Sequence, residues 1–260
     1  MKSKWNIIGR LCLILSCGLL FLFSTVAYGA DYDYTYKYIN VTNPYSKGGK
    51  EVRVVYNNST YRNDLIYKNK SGKTITVRSV RNVFTNGKKI YYCKGITNAS
   101  IECYSYSNDS TKEILKGVCA LFGINGKYMF FSYNDNDNPK DKKTGLFRYN
   151  FETKKSKRVS KELVDIMRSG SKRFIFYDLP GDDAQVKIFI MDRNGSNIKK
   201  IAKANGAAIR NNKVYYWCKN NGKYVVYTCG YKGENKKTVA RYNSYDELTE
   251  NYGFLHNGIE

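Results

Sequence analysis

A single histidine (His256), 3 prolines and 2 tryptophans occur in 260 residues, and acidic side chains are half as numerous as basic ones, 22 against 44. Zincin sites, Ser-His-Asp triads and Cys-His dyads each need an imidazole held by defined neighbours, so most histidine-based catalysis is excluded. The scarcity of proline argues against a linker-rich, multi-module layout, and the length suits one sizeable core or two small ones. What the chain does have is 42% hydrophobic and 15% aromatic residues. That is too apolar for a disordered basic tail, whatever the formal charge of +22.

The first thirty residues read as an export signal. Lys2, Lys4 and Arg10 make a basic start, residues 11–23 are an apolar run, and Ala27-Tyr28-Gly29 supplies the small residues of a cleavage site after Gly29 or Ala30. The alternative is an uncleaved anchor, although the run falls just short of the ~20 residues of a spanning helix. Cys17 is a poor lipid-attachment site because residues 18–23 continue the apolar region. Losing the signal's three basic residues takes the charge from +22 to +19. Export argues against nucleic acid as the partner of that charge, and richness in Lys, Asn, Tyr and Ile suggests an AT-rich, Gram-positive bacterial source.

Five cysteines remain after the signal: Cys93, Cys103, Cys119, Cys218 and Cys229. An odd number leaves at least one thiol unpaired or paired between chains. Cys93 and Cys103 are candidates for a disulfide across a hairpin centred near Asn98. A two-residue turn at Asn221-Gly222 instead sets Cys218 opposite Val225 and Cys229 opposite Val214, about 13 Å out of step and beyond bridging distance. These two and Cys119 read as small buried hydrophobes.

The most informative feature is self-similarity. A small turn, a basic residue and an aromatic-aliphatic run recur as Asn86-Gly87-Lys88-Lys89-Ile90-Tyr91-Tyr92, Asn125-Gly126-Lys127-Tyr128-Met129-Phe130-Phe131, Gly170-Ser171-Lys172-Arg173-Phe174-Ile175-Phe176-Tyr177 and Asn211-Asn212-Lys213-Val214-Tyr215-Tyr216-Trp217, in steps of 39, 45 and 41 residues. A short apolar segment precedes each anchor, and a second apolar strand, a polar turn and a basic strand follow. Four short strands every ~40 to 45 residues are the signature of propeller blades. The expected fold is therefore all-β, a β-propeller of about five four-stranded blades over residues 31–260, with units at about 45–80, 81–117, 118–161, 162–203 and 204–243. Middle strands covered on both faces need no polar alternation, and lysines on outermost strands discourage edge-to-edge association.

The first unit lacks an obvious innermost strand, and Tyr252-Gly253-Phe254-Leu255 resembles an innermost strand without a blade. A closing strand at 250–260 beside Val52 would latch the ring by its two ends; the alternative is that residues 34–41 fill the slot.

At Met191-Asp192-Arg193-Asn194-Gly195-Ser196-Asn197 the sequence resembles the strand-turn-strand signature of TolB-like propellers. The repeated region, about 50–245, is also similar to secreted bacterial propellers of the low-density-lipoprotein-receptor type, although their Tyr-Trp-Thr-Asp motif is absent. The resemblance implies a binding or assembly module, and it says little about the ligand.

Five-bladed propellers include glycosidases, which place two or three carboxylates around a central channel. The expected inner segments offer Asp165 and little else, so a glycoside hydrolase is the second reading and a purely structural repeat the third. Asp135, Asp137 and Asp141 alternate like a calcium loop but lack its glycine and terminal glutamate, and Asp178, Asp182 and Asp183 flank a Pro-Gly turn; both read as solvated hairpins. No cofactor is expected. The leading expectation is a non-enzymatic, secreted or cell-surface module whose partner is an anionic envelope polymer, a glycan or a protein. Its expected contacts are the basic rim residues Lys199, Lys200, Lys236 and Lys237 and the tyrosines Tyr104, Tyr106 and Tyr133, with Tyr45 and Tyr61 as further exposed contributors against the ordinary alternative that such aromatics are buried.

Overall fold

Each repeat anchor opens a strand that is apolar on both faces. β6 (Lys89–Lys94) buries Ile90, Tyr91, Tyr92 and Cys93 in succession. β9 (Tyr128–Tyr133), β13 (Arg173–Asp178) and β17 (Lys213–Asn220) repeat the pattern with Met129-Phe130-Phe131, Phe174-Ile175-Phe176-Tyr177 and Tyr216-Trp217-Cys218. Successive strand residues point to opposite faces, so this burial requires cover on both sides. The computed structural model describes residues 36–95, 98–133, 144–162, 164–169, 173–178 and 185–257; the expected signal segment lies outside them.

The strands form antiparallel meanders. β2 (Tyr45–Lys47), β3 (Lys50–Asn57), β4 (Arg62–Lys68) and β5 (Thr74–Thr85) lead into β6, β7 (Ala99–Ser105) and β8 (Ser110–Asn125), then into β9, β10 (Leu146–Asn150) and β11 (Lys155–Ser160). Two separate four-stranded sheets follow. One is β12 (Val164–Ser169), β13, β14 (Val186–Asp192) and β15 (Lys199–Ala204); the other is β16 (Gly206–Arg210), β17, β18 (Lys223–Cys229) and β19 (Lys237–Tyr242).

β5 and β8 serve two units each. The first half of β5 pairs with β4 and the second half with β6; β8 does the same between β7 and β9. Left-handed residues turn the corner, Ser79 (φ 58) and Asn82 (φ 50) in β5 and Gly117 (φ 70) in β8. Asp64, buried to 6% exposure, holds the first corner by accepting from the Ser79 amide at 3.1 Å and from Asn57 Nδ2 at 2.8 Å.

Apolar clusters alternate with the sheets. Val52, Val54, Leu65, Tyr67, Ile90 and Tyr92 join the first two units, and Tyr91, Ile101, Leu121, Met129 and Phe131 join the second and third. Phe130, Leu146, Phe174, Phe176 and Met191 continue the series, followed by Ile175, Ile190, Ala207, Val214 and Tyr216. The outermost strands carry exposed lysines, including Lys155, Lys157, Lys199, Lys200 and Lys237. A charged rim of this kind keeps strand edges solvated.

The expected closing strand at 250–260 is not found. Tyr245–Tyr252 is a helix, α1, and Phe254–Asn257 a short helix, α2; residues 258–260 lie outside those described. Ser244 caps α1, its side chain accepting from the Glu247 amide at 3.2 Å while Glu247 Oε2 accepts from the Asn243 amide at 3.0 Å. The Ser244 cap and the reach of Glu247 to the amide before it, with Asp246 and Glu247 in the first turn, favour helix over strand. Phe254 packs on Tyr215 at a ring distance of 5.6 Å, so it does not latch beside Val52. The slot beside β3 belongs to β2, with Tyr45 opposite Val52. Nor do residues 34–41 fill it: β1 (Lys37–Ile39) pairs with the second half of β5, setting Ile39 opposite Val83.

The cysteine registers separate in the same way. Cys218 lies opposite Val225 and Cys229 opposite Val214, as the Asn-Gly turn requires, and both are buried. The proposed Cys93–Cys103 disulfide is not supported, because Cys93 faces Ile101 and Cys103 faces Tyr91. Two residues of offset put such a pair ~7–8 Å apart, past the usual bridging limit.

Candidate functional site

In a meander alternate turns share one end of the strands. The anchor turn of the fifth unit, at Asn211-Asn212, therefore lies at the same end as the polar turn that precedes its outermost strand. The turn at 192–197 shows how this end is built. Asp192 Oδ2 accepts from Asn197 Nδ2 at 2.5 Å and from Ser196 Oγ at 3.4 Å, and Gly195 takes φ 79. A Cβ on Gly195 would stand 3.1 Å from both Phe130 and Val159. Asn125 Nδ2 donates to the Arg193 carbonyl at 3.2 Å, and Arg148 donates to that of Asn194. The Met-Asp-Arg-Asn-Gly-Ser-Asn signature thus joins one unit to its neighbour.

The next junction carries the cations. Lys199 donates from β15 to the carbonyl of Lys232, in the fifth unit's turn. Lys236, at the end of that turn, places its ammonium 4.4 Å from the ring centroid of Tyr227 and 5.5 Å from that of Tyr216. These two tyrosines are register partners with stacked rings, 5.3 Å between centroids. A hydrogen bond to Tyr216 raises the Lys236 pKa above its ordinary value, so the ammonium stays charged throughout the neutral range. Arg173 stacks 4.9 Å over the Tyr231 ring and pairs with Asp192 at 3.2 Å, while the Tyr231 hydroxyl donates to Asn212 Oδ1 at 3.1 Å.

Lys199 and Lys200 therefore open one rim strand, and Lys236 and Lys237 lead into the next, at the same end of adjacent units. All four are exposed. Over residues 185–243 thirteen Lys and Arg face only Asp192 and Glu234. The pairing of Lys236 with stacked tyrosines follows from the same Asn-Gly turn that sets the cysteine register, because that turn also makes Tyr216 and Tyr227 opposite.

The tyrosines expected at the surface divide differently. Tyr104 is 3% and Tyr106 6% exposed, so neither is available to a partner. Tyr104 donates to Asp109 Oδ1 at 2.6 Å and accepts from the Lys70 amide at 3.0 Å. Tyr106 meets Tyr104 edge-on at 4.9 Å beneath the Lys50 ammonium, and burial pushes its hydroxyl up to about 12. Both close the junction of the first two units. Tyr133 is half-buried against Phe131 and Phe147, and the Tyr45 hydroxyl fills the space above Gly87. Tyr61, 74% exposed with φ 53, is the member of the group that faces solvent freely.

Asp135, Asp137, Asp141, Asp182 and Asp183 lie outside the described residues; Asp165 is in β12 and Asp178 ends β13. Among the described residues no group of three or more His, Cys, Asp or Glu is placed to hold a metal ion. A shallow hollow lined by Glu51, Arg53, Ile66, Tyr67, Lys68 and Thr74 holds about 50 Å³, far below the ~300–1,000 Å³ of typical small-molecule sites. No helix among the described residues is long and apolar enough to cross a membrane.

No family model matches the sequence, and no curated protein does. The chain is mostly β, and its structural neighbours are β-propellers. TolB from Acinetobacter baumannii is 14% identical with a TM-score of 0.45, the match covering 75% of this chain and 53% of that one. The β-propeller domain of the Trilobed protease from Pyrococcus furiosus is 14% identical with a TM-score of 0.37, covering 78% and 84%. A chain of a nidogen/laminin complex is 12% identical with a TM-score of 0.43, covering 75% and 76%. The match thus spans about half of the TolB chain.

Proposed function

We propose that the chain is an exported, non-enzymatic β-propeller module that binds an anionic polymer of the bacterial cell envelope along the junction of its fourth and fifth units. One observation carries this reading: Lys199-Lys200 and Lys236-Lys237 are exposed at the same end of neighbouring units, in a stretch of thirteen basic and two acidic residues. A flexible polyanion gains from several such charges at once, since each phosphate or carboxylate releases its own counterions. Lys236 keeps its ammonium over Tyr227 and Tyr216, where the rings orient it without removing its charge. The polymer needs no deep cavity, because its charges lie along a surface.

Titration of the chain with a glycerol-phosphate polymer and with polyglutamate at rising ionic strength tests the reading. Exposed charges are screened over ~10 Å at 0.1 M salt, so affinity should fall steeply between 50 and 300 mM salt, roughly tenfold or more by that screening. Salt-independent binding to a neutral glycan or a protein would replace the anionic partner with a tyrosine-dominated contact. Absence of binding to both polymers at low salt would remove the reading.

A further inference from the structure

The sequence contains six Asn-Gly pairs, beginning at Asn86, Asn125, Asn194, Asn205, Asn221 and Asn257. At such a pair a chain can attack itself. Glycine sets no side chain in front of its own amide nitrogen, and the asparagine carboxamide carbon lies at the distance that closes a five-membered ring. The fold decides which pairs react, because the carboxamide must be able to swing onto the next nitrogen and that nitrogen must not be donating elsewhere.

Four of the pairs are held back. Asn86 Oδ1 accepts from the Lys88 and Lys89 amides at 3.0 and 2.9 Å, and the buried Gly87 amide donates to Thr85 Oγ1 at 3.0 Å. Asn194 Oδ1 accepts from the Ser196 amide and hydroxyl at 2.9 and 2.6 Å, while the Gly195 amide donates to the Asp192 carbonyl at 2.8 Å. Asn125 lies in β8, and its Nδ2, the nitrogen that would leave, donates to the Arg193 carbonyl at 3.2 Å. Asn205 Oδ1 accepts from the Lys219 amide at 3.1 Å, and a Cβ on Gly206 would stand 2.7 Å from Trp217 Nε1, so the space beside that glycine is filled. The sixth pair runs into residues outside those described.

Asn221-Gly222 is different. Both residues are exposed and left-handed, with φ 49 and 76, as a two-residue type I′ turn requires. Among the described residues the Asn221 carboxamide has no hydrogen-bond partner, and neither has the Gly222 amide. Nothing stands within 4 Å of the Cβ position on Gly222. Lys219 and Lys223, also exposed, flank the turn, and positive charge nearby favours the deprotonated amide that attacks.

We propose that Asn221 is a site of self-modification, converted to aspartate and isoaspartate with water as the only co-reactant. The Gly222 nitrogen gives its proton to hydroxide or water and bonds to Asn221 Cγ; the bond from Cγ to Nδ2 breaks, and ammonia leaves. Water then opens the succinimide at either carbonyl, with nothing oxidised or reduced. Both products place a carboxylate between Lys219 and Lys223. Isoaspartate also adds a methylene to the backbone of the turn that sets Tyr216 opposite Tyr227.

The test incubates the unsubstituted full chain at pH 8 and 37 °C, folded and in urea, and follows aspartyl and isoaspartyl peptides at residues 86, 125, 194, 205 and 221 by peptide mapping. In the folded chain Asn221 should convert at least tenfold faster than each of the other four; in urea the five should convert at similar rates. A folded-state preference below tenfold overturns the proposal, whether all five sites react or none does. A tenfold preference that persists in urea overturns it as well, since residues adjacent in sequence would then set the rate without the fold.

Discussion

Lys236 holds its ammonium 4.4 Å from the ring centroid of Tyr227, on a strand edge where the next lysine, Lys237, faces water. Two adjacent lysines of the same outer edge thus have different environments. A cation over an exposed aromatic face contributes ~0.5–1 kcal/mol. Lys236→Ala should therefore lower stability in urea by about that amount, whereas Lys237→Ala should leave it within about 0.5 kcal/mol, as surface substitutions generally do. Equal effects from the two would show that the rings do not hold Lys236.

For polymer binding, Lys199, Lys200, Lys236 and Lys237 changed together to Gln should reduce affinity for a glycerol-phosphate polymer at least tenfold at low salt and flatten its salt dependence. Lys155 and Lys157 lie on the third unit's outer strand and are also exposed. Their double Gln variant should cost less than threefold. A loss shared equally by both sets would assign binding to overall charge and remove the junction from the site.

Two glycines separate packing from backbone strain. Gly222 takes φ 76 in the Asn-Gly turn with open space where a Cβ would stand; Gly195 takes φ 79 against Phe130 and Val159. A left-handed L-residue costs ~1–2 kcal/mol. Gly222→Ala should lose that much, and Gly195→Ala should lose more by the cost of displacing the third unit's side chains. Thermal unfolding followed at 222 nm reads the order, and a Gly195→Ala variant as stable as Gly222→Ala would contradict the turn's role as a junction.

Asp64 offers a sharper case. Its carboxylate accepts from the Ser79 amide and from Asn57 Nδ2 while 6% exposed. Asp64→Ala leaves both donors unpaired at the corner of β5, a loss of ~1–3 kcal/mol per buried group. Hydrogen exchange should quicken first at Ser79 and its neighbours in β5.

Alkaline pH should weaken the fold from a known direction. Burial raises the thiols of Cys103, Cys218 and Cys229, the last to about 11. Burial also raises Tyr91, Tyr92 and Tyr104 above the ordinary phenol value. A group whose folded pKa is raised retains its proton when the unfolded chain has lost it. Its contribution is then complete below the unfolded pKa and disappears as pH rises through the folded one. Stability should be flat from pH 7 to about 8.5 by these ordinary thiol and phenol values and decline above pH 9, as urea midpoints would show. In the folded protein at pH 7.5, iodoacetamide should leave Cys218 and Cys229 unmodified, and peptide mapping without reductant should show no Cys93–Cys103 bond.

Much of the strand pattern was legible because it depends on near neighbours. The anchor turn followed by Ile90-Tyr91-Tyr92 or Tyr215-Tyr216-Trp217 marks a strand covered on both faces, and Asn221-Gly222 sets its hairpin register with no outside help. The alternation Glu51-Val52-Arg53-Val54 likewise marks a strand wet on one side. The helix start at Ser244 went unread, because the aromatic run after it resembles an inner strand. The exposure of individual tyrosines was not legible, since Tyr61 and Tyr104 differ in what the rest of the chain lays over them.

The sequence by itself determined the repeat, the all-β elements, the basic outer strands and the register of the last hairpin, because turn chemistry and period-2 burial act over a few residues. Tertiary structure decided which segment covers which face. β1 went to the second unit's inner edge and the helices to the face of the last four-stranded sheet, whereas β2 reaches its place through the local Gly48-Gly49 turn to β3. Those choices rest on shape and apolar area between segments distant in the chain, where several candidates offered similar hydrophobicity. The same packing brings part of the basic charge together, at the junction where Lys199 meets the turn that carries Lys236.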